Sequence, residues 1–438
     1  MGRYLRIALV WIALSIVPAS CSLDAPLSPA SDENDRSPAA TETGWLAYVG
    51  ADGNVYITSA DRSDTIAITD DATAPPEGPG LSYPRVAWSP DGQLAYASVI
   101  RSGNDAQARL FVKQDLTDAP LQVGVSDEHF VIYIYWSPSG CADTPQCSRL
   151  TYLIEEPDGI GLRLVQADPR GTSNQLLGLG WPFYYSWSPD GSNMLWHTGG
   201  ASRFNDDARL ALYSLEENEL SKLDLDPGLF IAPAWSPAGE EWLAVTETDG
   251  EDVLQRINAD PEKTILEDLE RSEDKHFVFS WSPEGERIAY SQLRHTGALI
   301  FGPIQIYDLA TRTTRQVTED SFDISGFFWS PDGTHLAYLS RLALREAVWM
   351  QWRVVNLETG EDRGYAAFSP TYQMRYVVSS FNQYAQSHRL WSPDSRYLVY
   401  ADQDEQRVER IWLVDTLAER GSQPIFVAGG TMGFWSWK

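Results

Sequence analysis

The chain has 438 residues, and its 33 Lys and Arg against 61 Asp and Glu give a net charge of −28. This excess of acid excludes nucleic acid as a default partner and argues against electrostatic docking on anionic lipid, because both depend on clustered basic residues. With 43% hydrophobic residues, 32 Gly and 26 Pro, the composition predicts a large core with many tight turns.

Residues 1–20 have the anatomy of a secretory signal. Arg3 and Arg6 precede an apolar run over residues 7–17, which is shorter than the about 20 residues of a membrane-spanning helix. Residues 21–44 are rich in Ser, Pro, Ala and acids, and they predict a disordered acidic tether.

Cys21 follows two small residues at the end of this signal. The stretch 17–21 resembles the lipobox of bacterial lipoproteins, in which the Cys is lipidated and becomes the new N-terminus. We therefore expect an extracytoplasmic protein of the bacterial cell envelope, anchored by lipid on Cys21. Plain secretion after cleavage near Ala19 is the alternative.

One motif recurs along the rest of the chain, at intervals of 46–51 residues and a last interval of 62. It reads Trp-Ser-Pro, followed by Asp-Gly in three of the seven copies and by another residue and Gly in three more. The motif predicts a hairpin turn, and the alternating apolar runs after it predict strands. Each period is then a four-stranded antiparallel sheet, as in a propeller blade. The copies begin at Trp88, Trp136, Trp187, Trp235, Trp281, Trp329 and Trp391.

The two termini supply fragments of one further unit. Residues 45–69 contain the last three strands of a unit, and Thr431 to Trp437 contains a first strand with its own Trp-Ser. We therefore predict an all-β, eight-bladed β-propeller over residues 45–438, closed by the C-terminal strand joining the N-terminal blade.

These repeats resemble the Trp-Ser-Pro-Asp-Gly repeats, with a following Leu-Ala-Tyr type strand, of the TolB-like β-propellers. The resemblance covers nearly all of residues 45–438 and implies the fold. Members of that family include periplasmic proteins that bind other proteins, non-catalytic propellers of serine peptidases, and some polysaccharide lyases.

The only cysteines besides Cys21 are Cys141 and Cys147, which lie in a predicted surface turn. An even pair in a chain with a secretion signal favours a disulfide; two free thiols and, less so, a zinc pair are the alternatives.

The sequence has no Gly-x-Ser-x-Gly, His-Glu-x-x-His or phosphate-binding Gly loop. The aspartates of the repeats are interpreted as turn formers rather than calcium ligands, and we expect no metal or other cofactor.

The segments that lead into the first strands line one mouth of the predicted channel, and they contain the candidate ligand-binding residues. Strand alternation would place many of these aromatic residues in the core instead. The three histidines could meet on a metal, as in related lyases, although solvated or packing histidines are the favoured interpretation. The candidates are His129, Phe130, Trp181, Phe183, Tyr184, His276, His388 and Gln383.

The long last interval contains an insertion near residues 369–388. Ser369 and Pro370 predict an N-cap and first helical residue, and apolar positions then recur as in an amphipathic helix over the mouth. Gln373 and Gln383 are predicted to face solvent. The helix is either a plug that covers an apolar rim or a lid beside a ligand site.

We therefore predict a binding or scaffold module for an envelope protein, peptide or glycan, monomeric and held at the membrane only by its lipid. The alternative is a glycan-lyase-type or metal-dependent enzyme with its site in the same mouth. A lyase needs histidines or carboxylates that converge on one point, whereas a binding module needs shape and stacking surfaces.

Overall fold

A computed structural model describes residues 44–438, except 77, 104, 127–128, 140–146, 169–170, 261–264, 274, 296–298 and 343–347. The predicted signal, Cys21 and the tether up to residue 43 lie outside the described residues. Antiparallel strands dominate the described chain; its two short α-helices both come from the predicted insertion, and a 3-10 helix covers Ser202–Phe204.

The strands follow the repeats, and we number them in chain order. The first half contains β1 (Trp45–Gly50), β2 (Val55–Ser59), β3 (Thr65–Ala67), β4 (Gly80–Trp88), β5 (Leu94–Ser102), β6 (Asp105–Lys113), β7 (Leu121–Ser126), β8 (Val131–Trp136), β9 (Ser148–Glu156), β10 (Gly159–Asp168), β11 (Gly171–Gly180), β12 (Phe183–Trp187), β13 (Asn193–Thr198), β14 (Arg209–Ser214) and β15 (Glu219–Lys222). The second half contains β16 (Ala234–Trp235), β17 (Glu241–Thr248), β18 (Glu251–Asn258), β19 (Ile265–Ser272), β20 (Phe277–Trp281), β21 (Arg287–His295), β22 (Ile300–Phe301), β23 (Gln305–Asp308), β24 (Thr313–Gln316), β25 (Asp323–Trp329), β26 (His335–Leu342), β27 (Trp349–Asn356), β28 (Asp362–Phe368), β29 (Tyr397–Gln403), β30 (Glu409–Asp415) and β31 (Ile425–Trp435).

Four repeats form the predicted four-stranded antiparallel sheets, with their strands in sequence order: β4 to β7, β8 to β11, β12 to β15 and β16 to β19. The fifth and sixth repeats are joined into one larger sheet because β22 pairs with both β21 and β25. In the seventh repeat the first strand is reduced to an isolated bridge between Trp391 and Leu398.

The longest strand, β31, belongs to two repeats. Its first part pairs with β30, from Ile425 to Gly429, and its last part pairs antiparallel with β1, from Gly430 to Trp435. The C-terminal strand therefore completes a sheet with β1, β2 and β3 from the other end of the chain, in the order that the two terminal fragments predict.

The motif forms the hairpin turn that its residues predict. Gly92 N–H donates to Ser89 O at 3.1 Å, and the Ser89 hydroxyl accepts from Gln93 N–H at 2.8 Å. In the third copy, Asp190 accepts bonds from Ser188 and from Ser192 N–H of its own turn. These contacts confirm the aspartate as a turn former.

The motif tryptophans wedge between neighbouring repeats, as predicted. Trp136 Nε1–H donates to Ala87 O at 3.0 Å, and Ala87 is the residue before the preceding motif tryptophan. Trp281 and Trp391 make the same bond to the repeats before them, at 3.2 and 3.1 Å. Trp88 Nε1–H donates to Phe434 O at 3.2 Å, so the same contact joins the first motif to the C-terminal strand.

The insertion contains two helices instead of the one predicted, α1 (Tyr372–Ser379) and α2 (Phe381–Ser387). The predicted N-cap at Ser369 is wrong: the cap is Thr371, whose hydroxyl accepts from Met374 N–H at 3.1 Å. Pro370 instead pairs with Asp402 in an isolated bridge, which holds it outside the helix.

Candidate functional site

Helix α2 lies among the first strands of several repeats and fills the channel between them. Phe381 packs against Phe327, with ring centroids 4.9 Å apart, and also against Phe301 and Phe328. Helix α1 contacts β25, β29 and β31. The insertion therefore packs between the first strands, as the plug interpretation predicts.

Amide side chains of α2 bond to the backbone of the strands around it. Tyr185 N–H donates to Gln383 Oε1 at 3.1 Å, and Gln383 Nε2 donates to Tyr185 O at 2.7 Å. Asn382 Nδ2 donates to Phe279 O at 3.2 Å, and Gln386 Nε2 donates to Pro233 O at 3.0 Å. These bonds satisfy backbone groups on strand edges that face the channel and have no strand beside them.

The predicted solvent exposure of two glutamines is therefore wrong. Gln383 is 3% exposed and Gln373 is 6% exposed. Gln373 Oε1 accepts a bond from Arg85 Nη1 at 3.0 Å, and the Arg85 guanidinium also lies over the Tyr376 ring. As candidate ligand-binding residues, both amides are already engaged inside the protein.

His388 ends α2 and is buried in an aromatic cluster. Its Nδ1 lies 2.7 Å from Ser387 Oγ, and its ring packs on Tyr384, Tyr133 and Phe434. Burial lowers its pKa to about 3, against a weaker opposing effect of a hydrogen bond with the Val86 backbone. His388 is therefore neutral at pH 7 and serves as a packing residue.

His276 lies partly buried just before β20, beside His197. Burial is the main cause that lowers its pKa to about 4, and repulsion by His197 adds to it. His197 is fully buried, with ring nitrogens 2.7 Å from Ile231 O and 3.0 Å from Gly200 O, and it stacks on Phe230 at 4.0 Å. Burial lowers its pKa as well.

The three predicted histidines thus have separate surroundings. His129 is partly buried before β8, while His276 lies beside His197 and His388 lies in the aromatic cluster of α2. Within the described residues, no group of three or more His, Cys, Asp or Glu side chains could hold a metal ion. Sequence reasoning missed His197, because a single His that follows Trp196 in a strand carries no pattern.

The four aromatic candidates divide between core and surface. Phe183 is 1% exposed and packs on Tyr185 and Trp196, so it is a core residue that offers no surface to a ligand. Tyr184 is partly buried, and burial raises its pKa. Phe130 is 36% exposed.

Trp181 is the exposed ring that the sequence predicts, with 64% of its surface accessible. A second exposed ring, Phe204 at 73%, lies in the loop between β13 and β14 of the same sheet. The two loops meet where Gly199 N–H donates to Pro182 O at 3.1 Å. We call Trp181 and Phe204 the aromatic loop surface.

A pocket of about 380 Å³ lies at the opposite end of the channel, where the first strands end in their motifs. Gln386 and Arg389 lie at its inner end, and the Ser186 hydroxyl donates to Gln386 Oε1 at 2.6 Å. We call it the Trp-Ser-Pro pocket. Its wall includes Trp187, Trp235, Trp281, Trp329, Trp391 and Trp437.

Two sequence predictions concern the chain's covalent chemistry and its relation to the membrane. Cys147 is 7% exposed, while Cys141 lies outside the described residues, so the disulfide between them stays a prediction. Within the described part of the chain, no helix has the length and apolar character needed to cross a membrane.

The comparisons with known proteins support the fold. No family model and no curated protein matches the chain, so membership of the TolB-like family stays a prediction. Similar solved structures include TolB from Acinetobacter baumannii, with 12% identity, a TM-score of 0.39 and coverage of 76% of this chain and 81% of TolB. An oligogalacturonate lyase in complex with manganese has 12% identity and a TM-score of 0.47, with 80% of this chain and 85% of the lyase covered.

A prolyl endopeptidase has 12% identity and a TM-score of 0.51 over 88% of this chain. This chain spans only about half of the peptidase, with 55% of it covered. At such identities the likeness shows the fold alone. The likeness to the peptidase and the repeated antiparallel sheets together support a β-propeller fold for this chain.

Proposed function

We propose that the chain is a lipid-anchored, extracytoplasmic β-propeller of eight blades that acts as a binding or scaffold module. Its ligand would be a protein, peptide or glycan of the bacterial cell envelope. Seven blades would come from the Trp-Ser-Pro repeats, and the pairing of β31 with β1 supports an eighth that closes the ring.

The observation that carries the proposal is the aromatic loop surface. Trp181 and Phe204 have 64% and 73% of their surfaces accessible, and they lie on neighbouring loops at one end of the channel. Large aromatic rings are enriched at the centres of binding interfaces, and two such rings exposed on neighbouring loops bury little surface in the free protein. Because α2 fills the channel beneath, this end offers a surface rather than a deep cavity.

The test compares ligand binding by the full-length protein with ligand binding by a double variant that carries Trp181→Ala and Phe204→Ala. A glycan array and pull-down from an envelope extract of the source bacterium are the two assays. We expect one bound species that the double variant loses, with an unchanged melting curve, because exposed rings contribute to binding and not to folding.

A matched control is Leu417→Ala, since Leu417 is 74% exposed on a different loop, after β30. This control should keep full binding. Retention of binding by the double variant, or its loss in the control, would contradict a site at the aromatic loop surface.

The anchor and the compartment need their own experiment, because Cys21 lies outside the described residues. Metabolic labelling with a fatty acid should modify the wild-type protein and fail in Cys21→Ser. A Cys21→Ser protein that still takes label would remove the lipoprotein proposal.

A further inference from the structure

Arg389 places a positive charge in the wall of the Trp-Ser-Pro pocket. Its guanidinium lies over the Trp437 ring, 4.1 Å from the ring centroid, at the inner end of the Trp-Ser-Pro pocket. Among the described residues, no carboxylate forms an ion pair with it. Burial without such a partner lowers its pKa to about 10, so it is still cationic at pH 7.

Two other partly buried arginines of the chain, Arg256 and Arg396, have acidic partners, whereas Arg149 and Arg85 bond to backbone carbonyls or an amide. Arg256 contacts Glu241 at 2.7 Å and Glu267 at 2.8 Å, and Arg396 contacts Asp415 at 2.6 Å. An unpaired charge in a partly dry site costs stability, and a protein with 61 acidic residues has ample means to neutralise it. Arg389 therefore points to a ligand that provides the missing negative charge.

The residue beneath Arg389 is itself an exception to the repeat. The last motif reads Trp435-Ser436-Trp437, so a tryptophan stands where seven other copies have proline. Trp437 Nε1–H donates to Trp88 O at 3.2 Å, which fixes the ring as a platform. Stacking on this ring holds the guanidinium plane in one orientation.

Several other polar groups of the pocket wall already have partners within the protein, although the Ser280 hydroxyl and the Nε1–H groups of Trp235 and Trp329 have none. Gln386 is bonded through its oxygen to Ser186 and through its nitrogen to Pro233 O. The Ser236 and Ser282 hydroxyls accept from backbone N–H groups in their own turns. Among its described lining residues, the pocket thus presents Arg389 as a cation without an acidic partner, within a wall of indole and proline rings.

We propose that the Trp-Ser-Pro pocket binds a small monoanionic carboxylic acid with an aromatic or aliphatic body. Its carboxylate would accept hydrogen bonds from the Arg389 guanidinium, and its body would pack on the surrounding tryptophans. A single guanidinium in a chain of net charge −28 suits a singly charged ligand better than a doubly charged phosphate. A pocket of about 380 Å³ is within the usual size for such ligands.

The test uses the full-length protein and four small-molecule probes, which form two pairs of an acid and its neutral amide. Benzoate and N-acetylphenylalanine are the acids, and benzamide and N-acetylphenylalanine amide are their neutral counterparts. We expect both acids to raise the melting midpoint and to bind in calorimetry, and both amides to do neither. The proposal is overturned if acids and amides bind equally well. It is also overturned if neither acid binds at about 10 mM, a concentration that detects even weak affinities.

Arginine variants locate the site. Arg389→Gln should weaken acid binding about ten- to hundred-fold, the usual loss for a charged hydrogen bond, while its melting midpoint is no lower because an unpaired charge is removed. Arg389→Lys should retain binding within about ten-fold. Lysine keeps the positive charge but cannot donate the two parallel hydrogen bonds of a guanidinium. Arg375→Gln, which changes an exposed arginine of α1, should bind as the wild type does.

Two results at this stage would also overturn the proposal. One is acid binding that survives in Arg389→Gln or disappears in Arg375→Gln. The other is tighter binding of phenyl phosphate than of benzoate, which would assign a doubly charged ligand. The pocket and the aromatic loop surface lie at opposite ends of the channel, so neither outcome depends on the proposed function above.

Discussion

The two ends of the channel are built differently. Where the first strands begin, α1 and α2 fill the space, and amides of α2 bond to strand backbone. Where the first strands end, motif serines satisfy the neighbouring N–H groups, as Ser282 does for Arg287 at 3.0 Å, and a pocket is left open. The difference indicates that the plug is needed where strand edges lack local partners and is dispensable where the turn supplies them.

The largest expected effect comes from removal of the strand that both ends share. Deleting Thr431 to Lys438 removes most of the β31 pairing with β1 and the fully buried Trp435. An exposed edge on β1 and a large lost core area should collapse soluble yield and the melting midpoint. A deletion of Lys438 alone is the control, and it should melt like the parent. If the longer deletion also melts like the parent, the ring is not closed by β31.

The next effect tests the packed end. Phe381→Ala should lower the free energy of unfolding by about 3–5 kcal/mol, because Phe381 is 1% exposed among three phenylalanine rings. Tyr372→Ala, at an α1 residue that is 55% exposed, is the matched control and should change it by less than about 0.5 kcal/mol. Chemical denaturation measures both. A Phe381→Ala variant as stable as the control would show that α2 is a lid and not a plug.

The repeats could be predicted because their information is local. The turn at Ser89 to Gly92 needs only its own residues, and the wedge made by Trp136 needs only the identical neighbour one period earlier. The pairing of the two termini could be predicted for the same reason, because each fragment lacks what the other supplies.

The interior of the channel could not be predicted in this way. Gln383 is polar and in an amphipathic helix, so the pattern alone places it in water, but its partners are backbone atoms of Tyr185, which no side-chain pattern reveals. Arg389 had one available signal, the replacement of the motif proline by Trp437. Its proposed role follows only from the structure, in which no carboxylate of the described residues accompanies it.

A smaller effect concerns pH and the cluster between the two ends. The folded-state pKa of His388 is about 3, whereas an unfolded histidine titrates near about 6.5. Between these values the unfolded chain binds a proton that the folded chain does not, so stability is full above about pH 6.5 and falls as the pH is lowered. His388→Phe should make the slope of unfolding free energy between pH 6 and pH 4 shallower by about 1.4 kcal/mol per pH unit. An unchanged slope in this variant would show that His388 is protonated in the folded protein.

The smallest expected effect is that of Trp181→Ala, which is best measured against Trp187→Ala, six positions along the chain. Trp187 is 2% exposed and its Nε1–H donates to Thr151 Oγ1 at 3.2 Å, so Trp187→Ala should cost about 3–5 kcal/mol of unfolding free energy. Trp181 is 64% exposed on its loop, and Trp181→Ala should change stability by less than about 0.5 kcal/mol. Denaturant titration of both variants makes the comparison under identical conditions. If Trp181→Ala costs as much as Trp187→Ala, then Trp181 is part of the core in solution, and the aromatic loop surface loses its larger ring.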